Sequence, residues 1–589
     1  MKPVRRRRLR NAGLATAIVV VLYVIVLGYI ALQTDRHLRN AQAAVGLLRT
    51  SVTRVDSTSA TLDGQLRILQ HEAAAAHQAT RTLPWRLATG VPVLGRPFST
   101  VQGAATAVDG VARSVIPPVV SARDTVLHTD LRRAGGGIDL GPVMKVEGPL
   151  GRAGQAAEGL AAGVRALPVS RIGPVDRGRT RLIEQLESLT GQLHAVHDVT
   201  RVLPPMLGAQ GSRRYLLAFQ NNAEARGAGG LPGVYAIVQA DRGKLSIVRY
   251  GVPGDFKGIR VPVSGLSQGY EGHYAGADPG RYFGNTTVSP HFPDGARLLM
   301  RYYNAKTGKG LDGAAAIDPT VLSLLLGVSG PASLPDGATV SSANVVALTE
   351  RDAYQKFADP DERKRYLIGV AKAAADQILR ALPAQPTESV LALRTATSQR
   401  RLLIYSTRAG EQGVLASHAV GGALSDTKNL FSGVVINNAG GNKLDYYLAR
   451  SVIYQGAPCG GLPSHEAIVT IRLTNRAPKS GLSNYVAGRE DHSPVSTVRG
   501  SNLLLVGYFA TKGAAFSDAT LDGKQALLAV DSERGRPVFT ASVEIKPGQT
   551  RILRMKIAEP VTARGPVTTL VQPLVLPQTT TLRPGAGCE

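Results

Sequence analysis

At 589 residues the chain has room for several domains with substantial cores, and its formal charge of +25 favours anionic partners. Part of that charge stands ahead of the first apolar segment, as Lys2, Arg5, Arg6, Arg7, Arg8 and Arg10; the rest is spread along the chain. No basic patch interleaved with aromatics and no helix-turn-helix pattern accompanies it, which sets nucleic acid aside in favour of lipid head groups and anionic envelope polymers.

Residues 1–11 read as a basic tail. Ala12 to Leu32 is an uncharged run of 21 residues, about 30 Å as a helix and so the thickness of a bilayer core. The basic tail predicts a cytoplasmic N-terminus, a retained single-pass anchor over 12–32, and an extracytoplasmic chain from about Gln33 onward. Ala41-Gln-Ala43 offers a weak cleavage site, but the apolar run is longer than a signal peptide needs.

From Leu38 to Leu83 apolar residues keep a seven-residue beat. One line is Leu38, Val45, Val52, Ser59, Leu66 and Ala73; the other is Ala41, Leu48, Val55, Leu62, Leu69, Ala76 and Leu83. This predicts one long stalk helix of about 70 Å. Its flanks are mostly small or uncharged, so the expected partners are later helices of the same chain. Pro84, Pro92 and Pro97 break the pattern around Trp85, the single tryptophan, placed to cap the bundle or to touch the membrane surface. An Ala-rich helical pattern continues from Phe98 to Pro205, interrupted near Gly135–Gly137 and Pro168–Pro174. Residues 33–210 thus form an extracytoplasmic helical stalk or bundle.

Around Arg213 the periodicity changes to strands. An apolar run, Tyr215 to Phe219, leads into Gln220, Asn221, Asn222, Glu224 and Arg226, then a glycine-rich stretch and a second apolar run, Val234 to Val238. The reading is strand, polar turn, strand, with the turn presenting an arginine and free amides over a cleft. Val234–Gln239 and Lys244–Arg249 predict a hairpin. Beyond it come a helix from Pro293, a strand over Gly313–Ile317, a helix from Pro319, a long helix over Asp361–Leu382 and a strand near Leu402–Tyr405. Alternation of this kind predicts an α/β domain over 211–425. From Phe431 onward seven strand candidates predict an immunoglobulin-like sandwich over 430–575, followed by a tail over 576–589. The fold class is multidomain α+β.

Chemistry-bearing motifs are few. Gly265-Leu-Ser-Gln-Gly269 matches a nucleophile elbow in letters, but no helix of useful length can follow it. Gly227 to Gly233 has the wrong spacing for a dinucleotide loop and precedes a strand. The eleven histidines show no metal-ligand spacing and read as packing or surface residues, so no metal site is expected. Cys459 and Cys588 lie in the exported part, where an oxidising compartment allows a disulfide between them or leaves two separate thiols. Arg226, Asp255, Arg351-Asp352 and the run Asp359–Arg365 are the better candidates, since guanidinium forks grip phosphate oxygens and carboxylates hold divalent ions; the alternative for these charges is helix capping and solvated ion pairs.

The segment Phe219-Gln-Asn-Asn-Ala-Glu-Ala-Arg-Gly-Ala-Gly-Gly-Leu-Pro-Gly-Val-Tyr235 is similar to the hallmark of a bacterial envelope family, the domain of unknown function 4012 family. Ser289–Ala296, Leu311–Pro319 and Asn438–Tyr447 resemble it further. That family in turn looks like a distant relative of the LytR-CpsA-Psr transferases, which move glycopolymers from a polyprenyl pyrophosphate carrier to the cell wall. The resemblance implies that Arg226, Asp255, Arg351 and Arg363 line a phosphate site in the α/β domain, supported by Asn221, Asn222 and Glu224. Where the transferases place an Asp after the first arginine this chain has Ala228, and where they place an Arg before the second Asp it has Gly254. The implied function is binding of a glycopolymer or polyprenyl-phosphate-linked carrier at the membrane. The alternatives are a phosphotransferase using Mg²⁺ and a non-catalytic assembly scaffold of the envelope.

Overall fold

The computed structural model describes residues 3–53, 58–127, 129–133, 136–456, 464–491, 497–583 and 585. Cys459 and Cys588, with the disulfide expected of them, lie outside the described residues. The chain divides into two compact units, Met1–Leu131 with Asp139–Pro205, and Arg132–Ile138 with Met206–Glu589.

The first unit is all helical: α1 (Pro3–Thr53), α2 (Ser59–Ala79), α3 (Leu83–Thr89), α4 (Arg96–Gly110), α5 (Ile116–Leu127), α6 (Gly141–Arg165) and α7 (Gly173–Met206). The single stalk helix expected from the heptads is instead two helices, α1 and α2. The seam survives the change, because Ala41 and Leu48 of α1 pack with Leu62, Leu69 and Ala73 of α2 in one buried cluster. Leu83, the last member of the heptad line, is exposed. Side chains join the helices where the beat is polar: His37 Nδ1 meets Glu72 Oε2 at 2.7 Å and His77 Nδ1 meets Asp109 Oδ2 at 3.0 Å. A π-helical stretch, Val111–Val115, links α4 to α5. Pro117 and Pro118 follow at once; neither has an N–H to donate to the preceding turn, which favours such a bulge. Among the described residues one helix, α1, is long and apolar enough to cross a membrane.

The second unit begins with a five-stranded sheet ordered β3–β2–β1–β4–β5, where β1 is Arg213–Arg226, β2 Gly229–Asp241, β3 Lys244–Gly251, β4 Gly313–Ile317 and β5 Leu403–Ser406. β1 and β4 run parallel and the other neighbours antiparallel. Both faces are covered, and the alternation along β1 shows how. Leu216 and Ala218 join a core with α8 (Phe292–Thr307), while Leu217 and Phe219 pack on a second core with α9 (Pro319–Ser329), α10 (Pro360–Ala381) and α11 (Pro386–Ser398). A short helix, α12 (Ala409–Ser417), follows β5.

Two further sheets pack face to face around one core containing Val434, Tyr454, Ile471, Val506, Phe539 and Met555. They are built from β6 (Phe431–Asn438), β7 (Leu448–Gly456), β8 (Ser464–Asn475), β9 (Asn502–Phe509), β10 (Ala515–Leu521), β11 (Lys524–Gln525), β12 (Ala529–Glu533), β13 (Arg536–Ile545), β14 (Thr550–Pro560), β15 (Thr568–Val571) and β16 (Gln578–Arg583). The orders are β11–β10–β14–β8–β7–β16 and β12–β13–β9–β6–β15. This departs from the seven-strand immunoglobulin-like expectation. Lys524–Asp531 is divided between two strands, β10 was not foreseen, and β15 and β16 add parallel edges to β6 and β7. β16 falls in the stretch expected to be a tail; the backbone of β7 supplies the ladder that orders it.

Candidate functional site

The stretch from Gln220 to Arg226, expected as a polar turn, is the last part of β1. Its pairing with β2 shifts between Phe219 and Gln220 and again between Asn221 and Ala225, so Asn222 to Glu224 bulge out of the ladder. The amides freed by the bulge take side-chain partners. Asn222 N donates to Glu350 Oε1 at 2.9 Å and Ala223 N to Asn221 Oδ1 at 2.9 Å. Asn221 Nδ2 donates to the Tyr354 hydroxyl.

Further along, β1 enters the sandwich. Ala225 is part of the sandwich core, and its N–H donates to Asp445 Oδ2 at 2.8 Å. Asp445 also accepts from Asn438 Nδ2 at 2.8 Å and Asn502 Nδ2 at 2.7 Å. Gly227 N donates to Asn437 Oδ1 at 3.0 Å. Gln572 Nε2 closes the seam by donating to the carbonyls of Arg226 at 2.7 Å and Ile436 at 2.8 Å. Asn222 Nδ2 donates to Pro573 O at 2.8 Å, and Arg401, paired with Asp318 at the N-cap of α9, donates to Leu574 O at 2.8 Å. The segment 572–574 therefore straps the sheet of β1 to the sandwich.

Arg226 is buried with four hydrogen bonds: Nε to Asn285 Oδ1 at 2.9 Å, Nη1 to the carbonyls of Ala225 at 2.8 Å and Asn438 at 3.3 Å, and Nη2 to Glu224 Oε1 at 2.9 Å. Glu224 is shared with Lys443, whose ammonium lies beside the stacked rings of Tyr354 and Tyr485, 5.8 and 5.3 Å from their centroids. Burial by itself raises the Glu224 carboxyl, but Lys443 and Arg226 together hold it below the usual carboxylate range. Lys443 moves up for the reciprocal reason, against its own desolvation.

Glu350 stands in a π-helical stretch, Leu348–Asp352, which turns its carboxyl toward the bulge. Burial, opposed by the Asn222 amide and reinforced by Asp318, pushes its pKa up to about 8. Its Oε2 has no hydrogen-bond partner among the described residues.

The arrangement corrects the expectation of one cleft gathering Arg226, Asp255, Arg351 and Arg363. Arg363 joins the junction by stacking over Tyr485 at 3.9 Å, and it donates to Phe357 O at 3.0 Å. Arg351 pairs with Asp352 at 2.6 Å and lies 5.7 Å from the Tyr446 ring at the rim. Asp255 stands apart and accepts from the Tyr235 hydroxyl at 2.8 Å and the Val252 amide at 3.3 Å. Lys443 and Asp445 were missed as partners. Both lie in Asn438–Tyr447, a stretch noted only for its likeness to the family.

A cleft of about 500 Å³ opens elsewhere in the same unit, lined by His291, Arg297, Tyr405, Gln412, Asp426 and Arg534 among others. That volume suits a small polar ligand or the head of a larger one. The hairpin joining β12 to β13 carries Arg534 in the left-handed region, φ 53°, at its tip, and Arg534 N donates to Gln268 O at 2.9 Å. Next to it Glu533 is buried, accepting from Ser289 Oγ at 2.6 Å and the Tyr274 hydroxyl at 2.7 Å. Burial raises its pKa to about 7.

His291 decides the electrostatics of the cleft. Leu424 N donates to its Nδ1 at 3.0 Å, so the neutral ring must carry its proton on Nε2. Burial, then Arg534, Arg297 and Arg400, lowers its pKa to about 3 and keeps it neutral. Arg534 Nη1 lies 3.5 Å from that Nε2. Two donors face one another, and Arg534 Nε is buried with no partner among the described residues. Arg297, half-exposed, completes the basic side, with Asp294 Oδ1 3.6 Å from its Nη1 and the Tyr405 hydroxyl 3.4 Å from its Nε. Asp426, the one carboxylate among the lining residues named above, is paired with Lys512. The cleft is rich in donors and short of acceptors. The sequence marked His291 only as part of Ser289–Ala296, a stretch noted for its likeness to the family, and did not signal the cleft, because its residues come from segments more than a hundred positions apart.

Residues 210–354 match the model of a family described as protein of unknown function (DUF4012), in agreement with the resemblance read from the sequence. No curated protein and no solved structure matches the chain.

Proposed function

We propose that this chain, whose 210–354 segment belongs to the DUF4012 family, is a single-pass membrane-anchored, extracytoplasmic protein that holds an anionic ligand in the cleft beside His291 and Arg534. One observation carries the reading: the Nε2–H of His291 and Nη1 of Arg534 face each other at 3.5 Å, donor against donor, and the acceptor within reach of that Nη1 is the Ser267 hydroxyl at 3.4 Å. A phosphate or carboxylate oxygen placed there would accept from both. A polyprenyl-phosphate-linked glycopolymer, or another anionic envelope polymer, has the required group. Binding at Arg226 is less well supported, since a phosphate there would have to displace four existing hydrogen bonds. The Mg²⁺-dependent phosphotransferase alternative rests on the same four residues, of which Arg226 and Arg363 stand at the junction while Asp255 stands apart.

The test is titration of the full-length protein in detergent with undecaprenyl phosphate and with a uronic-acid oligosaccharide. Arg534→Gln should weaken binding by roughly tenfold or more, the scale of a lost charged hydrogen bond, and Arg297→Gln by less. Binding should also weaken with added salt. Equal binding by wild type and Arg534→Gln would remove the cleft from the account. A second reading, the assembly scaffold, is favoured by the buried polar seam that joins the β1 sheet to the sandwich. Absence of binding to either probe would leave that reading standing alone.

A further inference from the structure

The first unit carries a group of exposed apolar side chains with no soluble explanation. Leu83, Leu87, Val93 and Leu94, on α3 and the loop after it, are 69, 59, 60 and 73 % exposed. The opposite side of the same segment is packed: Trp85 and Ala88 are buried against Leu27 of α1, with Tyr23, Ile30 and Ala31 alongside. Trp85 donates from Nε1 to Phe98 O at 3.2 Å and meets the Phe98 ring edge-on at 5.1 Å, while the Tyr23 hydroxyl donates to Pro84 O at 2.8 Å.

The level of these contacts along α1 matters. The apolar run ends at Leu32. At 1.5 Å per residue, Leu27 lies about 8 Å and Tyr23 about 14 Å inside it. Whatever medium surrounds the run at that depth also surrounds α3.

We infer that residues 83–95 form a membrane-embedded wedge, which packs on the anchor with its Trp85 side and presents Leu83, Leu87, Val93 and Leu94 to the acyl chains of the outer leaflet. The inference rests on the anchor assigned to α1 under the proposed function. The backbone suits the medium, because a segment in hydrocarbon must satisfy its own polar groups. Gly90 N donates to Leu87 O, Val91 N to Ala88 O, Leu94 N to Pro92 O, Gly95 N to Val91 O and Arg96 N to Val93 O, at 2.8–3.4 Å. The Thr89 hydroxyl folds back onto Arg86 O at 2.8 Å. Gly95 is needed for this closure: a Cβ there would sit 2.5–2.8 Å from the carbonyl oxygens of Thr89, Val91 and Ala88. Arg86 and Arg96 are exposed and long enough to carry their charges up to the head groups.

The sole tryptophan makes the test direct. Trp85→Phe combined with Leu94→Trp moves the only indole to the exposed tip of the loop. The full-length double variant is reconstituted in phosphatidylcholine vesicles with and without brominated acyl chains. The tryptophan at 94 should emit at short wavelength, lose most of its emission to the brominated lipid, and resist aqueous acrylamide. Trp85 in the wild type should also be quenched by the brominated lipid, less strongly because it is covered. Extraction with alkaline carbonate separates the premises. Release from the vesicles would overturn the anchor, and the wedge with it. Retention together with acrylamide quenching and no bromine quenching would overturn the wedge alone.

Discussion

Glu224 is the residue on which the junction turns. Its carboxylate is the counter-charge for both Arg226 and Lys443, and all three are buried. Removing one partner of such a group leaves uncompensated charge in a medium of low dielectric. Glu224→Gln should therefore destabilise the second unit by about 3–5 kcal/mol in denaturant titration. Glu224→Gln with Lys443→Met should recover part of that loss, and a double-mutant cycle would measure how much. Asn221, Asn222, Glu224 and Arg226 were legible as special, because polar groups at the end of an apolar run need partners. What they bind was not legible. Lys443 and Asp445 lie more than two hundred positions further on, and ion pairing leaves no periodicity in the sequence.

Period-two and period-3.6 patterns carried most of the second unit at the level of elements. β4 was expected over the range it occupies, Gly313–Ile317, and α8 and α10 were placed to within a few residues. The failures share a cause. Gln220–Arg226 was read as a turn because it is polar, yet a strand may be polar when its side chains face a second polar surface and not an apolar core. β15 and β16 are short, flank prolines, and owe their order to the free edges of β6 and β7. Close backbone approach also belongs at this scale. A Cβ on Gly227 would meet Val288 O at 2.1 Å, so Gly227→Ala must push β1 away from the sandwich or from the 286–289 loop. The expected loss is about 1–3 kcal/mol, as for other overpacked sites, seen as a lower melting temperature with the helical signal of the first unit retained. In that unit Leu62→Ala, which empties a fully buried seam position, should cost about 2–5 kcal/mol.

At the scale of the whole molecule, buried carboxyls set the response to pH. Burial raises Asp318, Glu350, Asp445, Glu533 and Glu559, with Glu350 near 8 and Glu533 near 7. A carboxyl whose pKa is higher in the folded state holds its proton there after the unfolded chain has released it. Stability from such a group is complete below about pH 4 and is lost as pH rises through the folded value. Melting temperature should therefore fall between pH 5 and pH 8. Glu350→Gln, which keeps an oxygen for the Asn222 amide, should flatten that fall, and Glu533→Gln should do so over a lower range. Glu224 works in the opposite sense, but its loss sets in only at more acidic pH. The strap at 572–574 predicts a linked behaviour as well. In native-state hydrogen exchange the amides of Ala225 and Gly227 should open with those of the sandwich core, as one cooperative body.

The sequence by itself determined the helical first unit, the apolar N-terminal run, the alternation of strands and helices after Arg213, the β-rich last third and the likeness of residues 210–354 to one family. All of these follow from local regularities: hydropathy over one helix length, a heptad beat, strand alternation, and a run of unusual polar residues. Tertiary structure alone decided which charges are partners, that Arg226 is bound inside a seam, that His291 and Arg534 meet across a cleft, and that α3 lies against α1. Those outcomes depend on distances between segments far apart in the chain. A side chain's role there is set by what desolvates it and what it can reach, and neither is written in its neighbours.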